Sequence, residues 1–265
     1  MTTLQIVVLA IVQGLTEFLP VSSSGHLVLV PALAGWADQG LMFDVAVHMG
    51  SLVAVCIFFR HDIAALLRGG LQLARGNHQD VEPRLTLAIA LATAPAAIAG
   101  LLLAGWIEEN LRSPVVVIFQ LSVFGILMAL ADRYAPRARN ITNVTLRDAL
   151  LIGLAQALSL VPGTSRSGIT ITVGRALGFA RQDAARFSFL LSAPIILLAG
   201  GYKTLLLLLS GVPVAWLDLA LGVLVSAVVA YLSIGFFMRF VSKIGLLPFA
   251  IYRLLLAGAI VYVLL

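Results

Sequence analysis

The chain has 265 residues, 61% of them hydrophobic and 11% charged, with a mean hydropathy of +1.06. A typical soluble domain carries about 25% charged residues, so the composition excludes a soluble globular protein and predicts an integral membrane one. The formal charge of +5, from 17 Lys and Arg against 12 Asp and Glu, reads in such a chain as loop topology rather than nucleic-acid binding.

The N-terminus lacks a basic stretch before its apolar run, and Gln13 and Glu17 interrupt that run, so no cleaved secretory leader is expected. Residues 4–34 read instead as a broken hairpin around Gln13-Gly14-Leu15-Thr16-Glu17-Phe18-Leu19-Pro20-Val21-Ser22-Ser23-Ser24-Gly25-His26. Bare backbone and charge persist at membrane depth only where protein or a water-filled cavity surrounds them. Gln13 and Glu17, four residues apart, share a helical face. A carboxylate there needs a cation, a metal or a proton, and a divalent ion shared between Glu17 and substrate phosphates is the ordinary mode for magnesium. Ser22, Ser23, Ser24 and Gly25 precede a helix restart: they either cap it or leave its free amides to an anion. Imidazole titrates near neutrality, so His26 can serve as base, acid or nucleophile.

Spanning helices are expected at about 41–59, 85–107, 114–131, 187–209, 214–238 and 247–264. The first contains Asp44 and His48, one helical turn apart, which line a cavity or cap a helix pair. It also holds Cys56, and a lone cysteine excludes an internal disulfide. Between the third and fourth spans, residues 147–180 form a second broken hairpin around Pro162-Gly163-Thr164-Ser165-Arg166-Ser167-Gly168. The Arg166 fork matches phosphate oxygens two at a time; the alternative is an ion pair with Glu17. In the later spans, Lys203 reaches the outer interface, and Gly100, Gly200 and Gly201 read as close helix packing. Arg253, beside Tyr252 in the last span, is either functional or a brace.

Connectors 60–84 and 132–147 carry four arginines each, while 108–113 holds only Arg112 and 210–213 holds no charge. The positive-inside rule puts the basic connectors in the cytoplasm. The first hairpin then enters from the outer face and the second from the cytoplasmic face. Both run Gln, small residue, Leu and hydroxyl, then Pro, a Ser/Thr cluster and Gly, and three spans follow each. The expected fold is an all-α polytopic membrane protein: six transmembrane helices plus two re-entrant hairpins, in an inverted repeat of about 1–140 and 141–265.

These two signatures, in this order, strongly resemble the bacterial undecaprenyl-diphosphatase family of bacitracin-resistance type. Phe187-Ser188-Phe189-Leu190-Leu191 and Pro248-Phe249-Ala250-Ile251-Tyr252-Arg253 are similar to further family blocks. The resemblance implies an inner-membrane enzyme, its site facing outward, that hydrolyses undecaprenyl diphosphate to undecaprenyl phosphate and inorganic phosphate. It also implies a divalent cation, magnesium or calcium, and bacitracin resistance. Some members have Glu where Gln13 stands, which leaves Glu17 as the more secure metal carboxylate.

The reading of the residues is metal-assisted phosphoryl transfer with Glu17, Ser23, His26 and Arg166 as catalytic groups. Gln13, Ser22, Ser24, Gly163, Thr164, Ser165 and Ser167 are the expected substrate contacts, and Glu17 the metal ligand. Ser23 activated by His26 is the preferred nucleophile; water activated by His26 or Glu17, and phosphorylation of His26 itself, remain open. Expected partners are a polyprenyl diphosphate, membrane lipid and a second copy of the chain as a homodimer. The rival function is a carrier moving the lipid phosphate between leaflets.

Overall fold

A computed structural model describes residues 1–111, 113–209 and 215–264. Arg112 and the expected uncharged outer connector at 210–213 lie outside the described residues. Eleven α-helices and one 3-10 turn account for the described secondary structure: α1 (Thr3–Thr16), α2 (Ser23–Ala34), α3 (Gly40–Phe58), α4 (Arg60–Ala74), α5 (Val81–Asn110), α6 (Pro114–Tyr134), the turn Ile141–Asn143, α7 (Leu146–Leu158), α8 (Arg166–Ala176), α9 (Arg181–Leu209), α10 (Trp216–Ile244) and α11 (Leu247–Leu264). Five of them (α3, α5, α6, α9 and α10) are long and apolar enough to cross a membrane; α11 is shorter. The chain is a multi-pass membrane protein.

Local sequence sets several helix starts. Thr2 and Gln5 form a reciprocal capping box on α1, as Thr145 and Asp148 do on α7. Ser113 caps α6, with Pro114 in the first turn, where a missing N–H costs nothing. At the far end of α10, Gly245 turns with φ of 70°, and any side chain there would strike Asp132 and Arg181.

The charged connector at 60–84 is largely helical, because α4 turns Ile63 and Leu66 inward and its charged residues outward. Thr86 on α5 donates to the Leu66 carbonyl at 2.9 Å, fixing α4 against α5. Hydropathy alone hides an amphipathic helix of this kind. The fourth span also starts earlier than expected, at Arg181, where Asp132 holds the Arg181 guanidinium at 2.6 Å.

Packing rests on small residues and aromatics. Helix α1 lies on α10 and α7 lies on α5. A Cβ at Gly14 would sit 2.8 Å from the Ser226 carbonyl, and one at Gly153 would sit 2.7 Å from the Ala92 carbonyl. Close backbone approach of this kind binds membrane helices where no hydrophobic force does. The core gathers Phe18, Phe59, Phe189 and Phe237, with Phe18 and Phe189 edge to face at 5.2 Å between centroids. Phe18 belongs to the loop that breaks the first hairpin, so the core anchors that loop. Leucines such as Leu101, Leu102, Leu217 and Leu224 cover the outside. At one end of α6, Asp132 accepts from Arg175, Arg181 and the Leu246 amide, tying α8, α9 and the turn between α10 and α11 together.

Gly153→Leu is expected to force α7 off α5, an overpacking cost of roughly 1–3 kcal/mol, and to lower the thermal midpoint in detergent by several degrees. Gly105→Leu, where a Cβ meets open space, should leave the midpoint unchanged.

Candidate active site

Two breaks, between α1 and α2 and between α7 and α8, meet in the interior. Each ends on a serine in a backbone conformation that L-residues avoid: Ser22 at φ 76° and Ser165 at φ 70°, the non-glycine residues with positive φ among those described. They occupy matching places, nine residues after Gln13 and Gln156 respectively. Each hydroxyl reaches the serine two positions on, Ser24 at 3.4 Å and Ser167 at 3.3 Å. Gly25 and Gly168 leave room for that turn.

The loops bond to one another and to a shared guanidinium. Ser167 donates to the Leu19 carbonyl at 3.1 Å. Arg253, fully buried on α11, donates to the carbonyls of Gln120, Leu121 and Gly163 at 2.9–3.2 Å and to Pro20 at 3.5 Å. It thereby joins both breaks to α6. Backbone acceptors left bare in a membrane interior are costly, and Arg253 satisfies those of Pro20 and Gly163, one in each break. The brace anticipated for this residue is what the geometry provides.

Glu17 is the centre. Its carboxylate accepts from Arg166 at 2.8 Å, Ser23 at 2.7 Å and Gln13 at 3.0 Å, and His48 Nε2 stands 3.5 Å away. The acid and the guanidinium come from opposite halves of the chain, 149 positions apart. Arg166 also donates to the Ser188 carbonyl at 3.1 Å, and its guanidinium lies over the Phe18 ring. Thr170 and Ser188, hydroxyl to hydroxyl at 2.7 Å, hold α8 to α9 just behind it.

The expected pairing of Ser23 with His26 is not made, because the Ser23 hydroxyl donates to Glu17. Both His26 nitrogens are taken: Nδ1 donates to the Ser22 carbonyl at 2.7 Å, and Nε2 meets the Tyr252 hydroxyl at 2.6 Å. The two rings stack within 8° of parallel.

Beside the cluster lies a cavity of about 150 Å³, its lining including Ser24, Gly25, Asp44, His48 and Pro162 together with the apolar Val28, Ala32 and Ile260. Its lining takes in neither Glu17, Ser23, His26 and Arg166 nor Gly163, Thr164 and Ser165. Gly163, at φ 92°, passes against the Val117 backbone, Thr164 is fully buried, and Ser165 caps α8 by accepting from the Gly168 amide at 3.1 Å. They build the loop. Helix α2 has no such side-chain cap, so its first amides are open to a ligand in a way those of α8 are not. Sequence reasoning missed Tyr252 as the partner of His26 and Ser188 as the second anchor of Arg166; it named His48 only as a cavity or capping residue. For Ser188, the family-like block Phe187-Ser188-Phe189 is the signal that could have found it.

The family model described as bacitracin resistance protein BacA matches residues 6–259. The undecaprenyl-diphosphatase of Nitrosococcus oceani is 53% identical over 262 residues, covering 99% of both chains. That of Hahella chejuensis is 54% identical over 263 residues, 99% of this chain and 98% of its own. Undecaprenyl-diphosphatase 2 of Stutzerimonas stutzeri is 52% identical over 267 residues, 100% and 98%.

Arg253→Leu removes the tie between the two breaks. Amide hydrogen exchange at 18–24 and 161–167 is expected to speed up by about tenfold or more, while exchange in the middle of α3 and α9 stays at its original rate.

Proposed function

Because the chain belongs to the bacitracin resistance protein family, we propose that the Glu17 cluster is the active centre of a membrane phosphatase. It hydrolyses undecaprenyl diphosphate to undecaprenyl phosphate and inorganic phosphate, recycling the carrier lipid and conferring bacitracin resistance. One observation carries the mechanism: the Ser23 hydroxyl donates to a carboxylate that is itself ion-paired to Arg166 beside a cavity.

Ser23 Oγ attacks the terminal phosphorus while Glu17 takes its proton, the prenyl phosphate leaves, and water then hydrolyses the phosphoserine. Arg166 and the uncapped amides at the start of α2 bind the phosphoryl oxygens. Their fixed positions supply most of the stabilisation such reactions need. His26, locked by Ser22 and Tyr252, orients the turn that carries Ser23. Glu17 and the buried, unpartnered Oε1 of Gln13 are hard oxygens suited to magnesium or calcium, and such an ion would neutralise charge on the diphosphate. The prenyl chain leaves along Val28, Ala32 and Ile260 into lipid.

The topology that goes with this reading is six spans and two re-entrant hairpins in an inverted repeat. Ser22 and Ser165 in matching strained turns support it, as does the exchange of partners that lays each hairpin on the other half's helix. Pro114 on the cavity wall and Asp132 amid the arginines mark opposite ends of α6. With the arginines cytoplasmic, the cavity opens outward, on the periplasmic side of the inner membrane.

Phosphate release from a prenyl diphosphate by the purified protein in detergent is the test. Ser23→Ala, Glu17→Gln and Arg166→Lys should each lower turnover by about 10³-fold or more; Ser23→Ala should keep its thermal midpoint, whereas Glu17→Gln leaves the Arg166 charge unpaired and should lower it. Near-normal turnover of Ser23→Ala removes the serine nucleophile. Lipid binding without phosphate release by the wild-type chain favours the carrier.

A further inference from the structure

A phosphoserine route leaves one proton without an acceptor. In the first step Ser23 Oγ bonds to phosphorus and Glu17 takes the hydroxyl proton, while the prenyl phosphate departs as a stable anion. In the second step the bond from phosphorus to Oγ breaks, and Ser23 must leave as a neutral hydroxyl. The proton on Glu17 is the one placed to return, since the Ser23 oxygen lies 2.7 Å from that carboxylate. Glu17 is therefore the acid of the second step. It does not also strip the attacking water, and a second base is required.

His48 has the geometry for that base. Its Nδ1 lies 2.7 Å from the Asp44 carbonyl, and a carbonyl only accepts. In the neutral imidazole that bond puts the hydrogen on Nδ1 and leaves the Nε2 lone pair bare. Nε2 stands 3.5 Å from Glu17 Oε2, beyond the range of an ordinary hydrogen bond. The same oxygen already accepts from Ser23 and from the Gln13 amide, so Nε2 is beside the carboxylate without being bound to it. His48 also lies on the cavity wall, with Ser24 and Gly25 from the turn that carries Ser23. Its side chain is 32% exposed against 7% for Glu17, so water reaches the imidazole more readily than the acid. The neighbouring groups are engaged elsewhere: His26 with Ser22 and Tyr252, and Asp44 with Gln39.

We propose that His48 is the general base of the second step, taking a proton from the water that cleaves the phosphoserine. The inference rests on the serine nucleophile proposed above and adds the group that resolves its intermediate. Water oxygen bonds to phosphorus as the bond to Oγ breaks. One water proton goes to His48 Nε2, the other stays on the departing phosphate, and the Glu17 proton returns to Ser23. His48 then releases its proton to solvent through the cavity it lines, and Glu17 is again a carboxylate facing Arg166. Each half of the cycle has its own base.

The test uses the full-length protein in detergent and a prenyl diphosphate labelled on its terminal phosphorus, sampled by rapid quench. In His48→Ala the first prenyl phosphate is expected at the wild-type rate, while steady-state turnover falls by about 10²-fold or more. Label should collect on Ser23 at about one per chain, located by peptide mass spectrometry, and KM should fall together with kcat. Added imidazole should clear that label. The retained first turnover shows that the variant is folded, and His48→Gln, which can still donate to the Asp44 carbonyl, should accumulate label in the same way. A first turnover slowed as much as later ones, with Ser23 unlabelled in both variants, overturns the base role and leaves the serine reading to its own test. Near-normal steady-state turnover of His48→Ala overturns the base role as well. Absence of label together with near-normal turnover of Ser23→Ala removes the serine nucleophile, and this proposal with it.

Discussion

The ion pair between Glu17 and Arg166 is the constraint on which the rest depends. It joins a carboxylate from the first broken hairpin to a guanidinium from the second, both nearly buried. Taking either charge alone out of water costs several kcal/mol, so each half of the chain is unfavourable without the other. The pair also sets chemistry. Arg166 and the Ser23 hydroxyl converge on the same carboxylate, one on each oxygen.

Backbone supply is the second theme. A helix that stops within lipid exposes carbonyls and amides that water cannot reach. Here the stops are satisfied from inside the protein: Ser167 serves Leu19, Ser165 serves the start of α8, and Arg253 serves Pro20, Gly163 and α6. Phe18 plugs the first break into the aromatic core. The strained turns at Ser22 and Ser165 persist because these contacts over-determine them.

Much of this was legible in the sequence, for a physical reason. Polar and helix-breaking residues are expensive inside lipid, so Glu17, Ser23 and Arg166 stood out against an apolar background. The apolar runs marked the five long helices, though α9 begins and α10 ends six residues beyond the expected bounds. Other features were hidden because they depend on three-dimensional approach. Nothing in the chain says that Ser23 turns to Glu17 while His26 turns to Tyr252, 226 positions away. Asp44 and His48 were visible as a pair on one helical face, but the nearness of His48 to Glu17 required α3 to lie beside the first hairpin. Helix α4 was lost to its own charges, since its apolar stripe is narrow.

Arg253 has a consequence beyond bracing. It holds four carbonyls and, among the described residues, no carboxylate, so its charge is not cancelled by a neighbouring acid. Field lines spread far in a medium of low dielectric. The two breaks are therefore held together around a standing positive charge, and a polyanionic head group drawn toward them meets an attraction that no neighbouring acid screens.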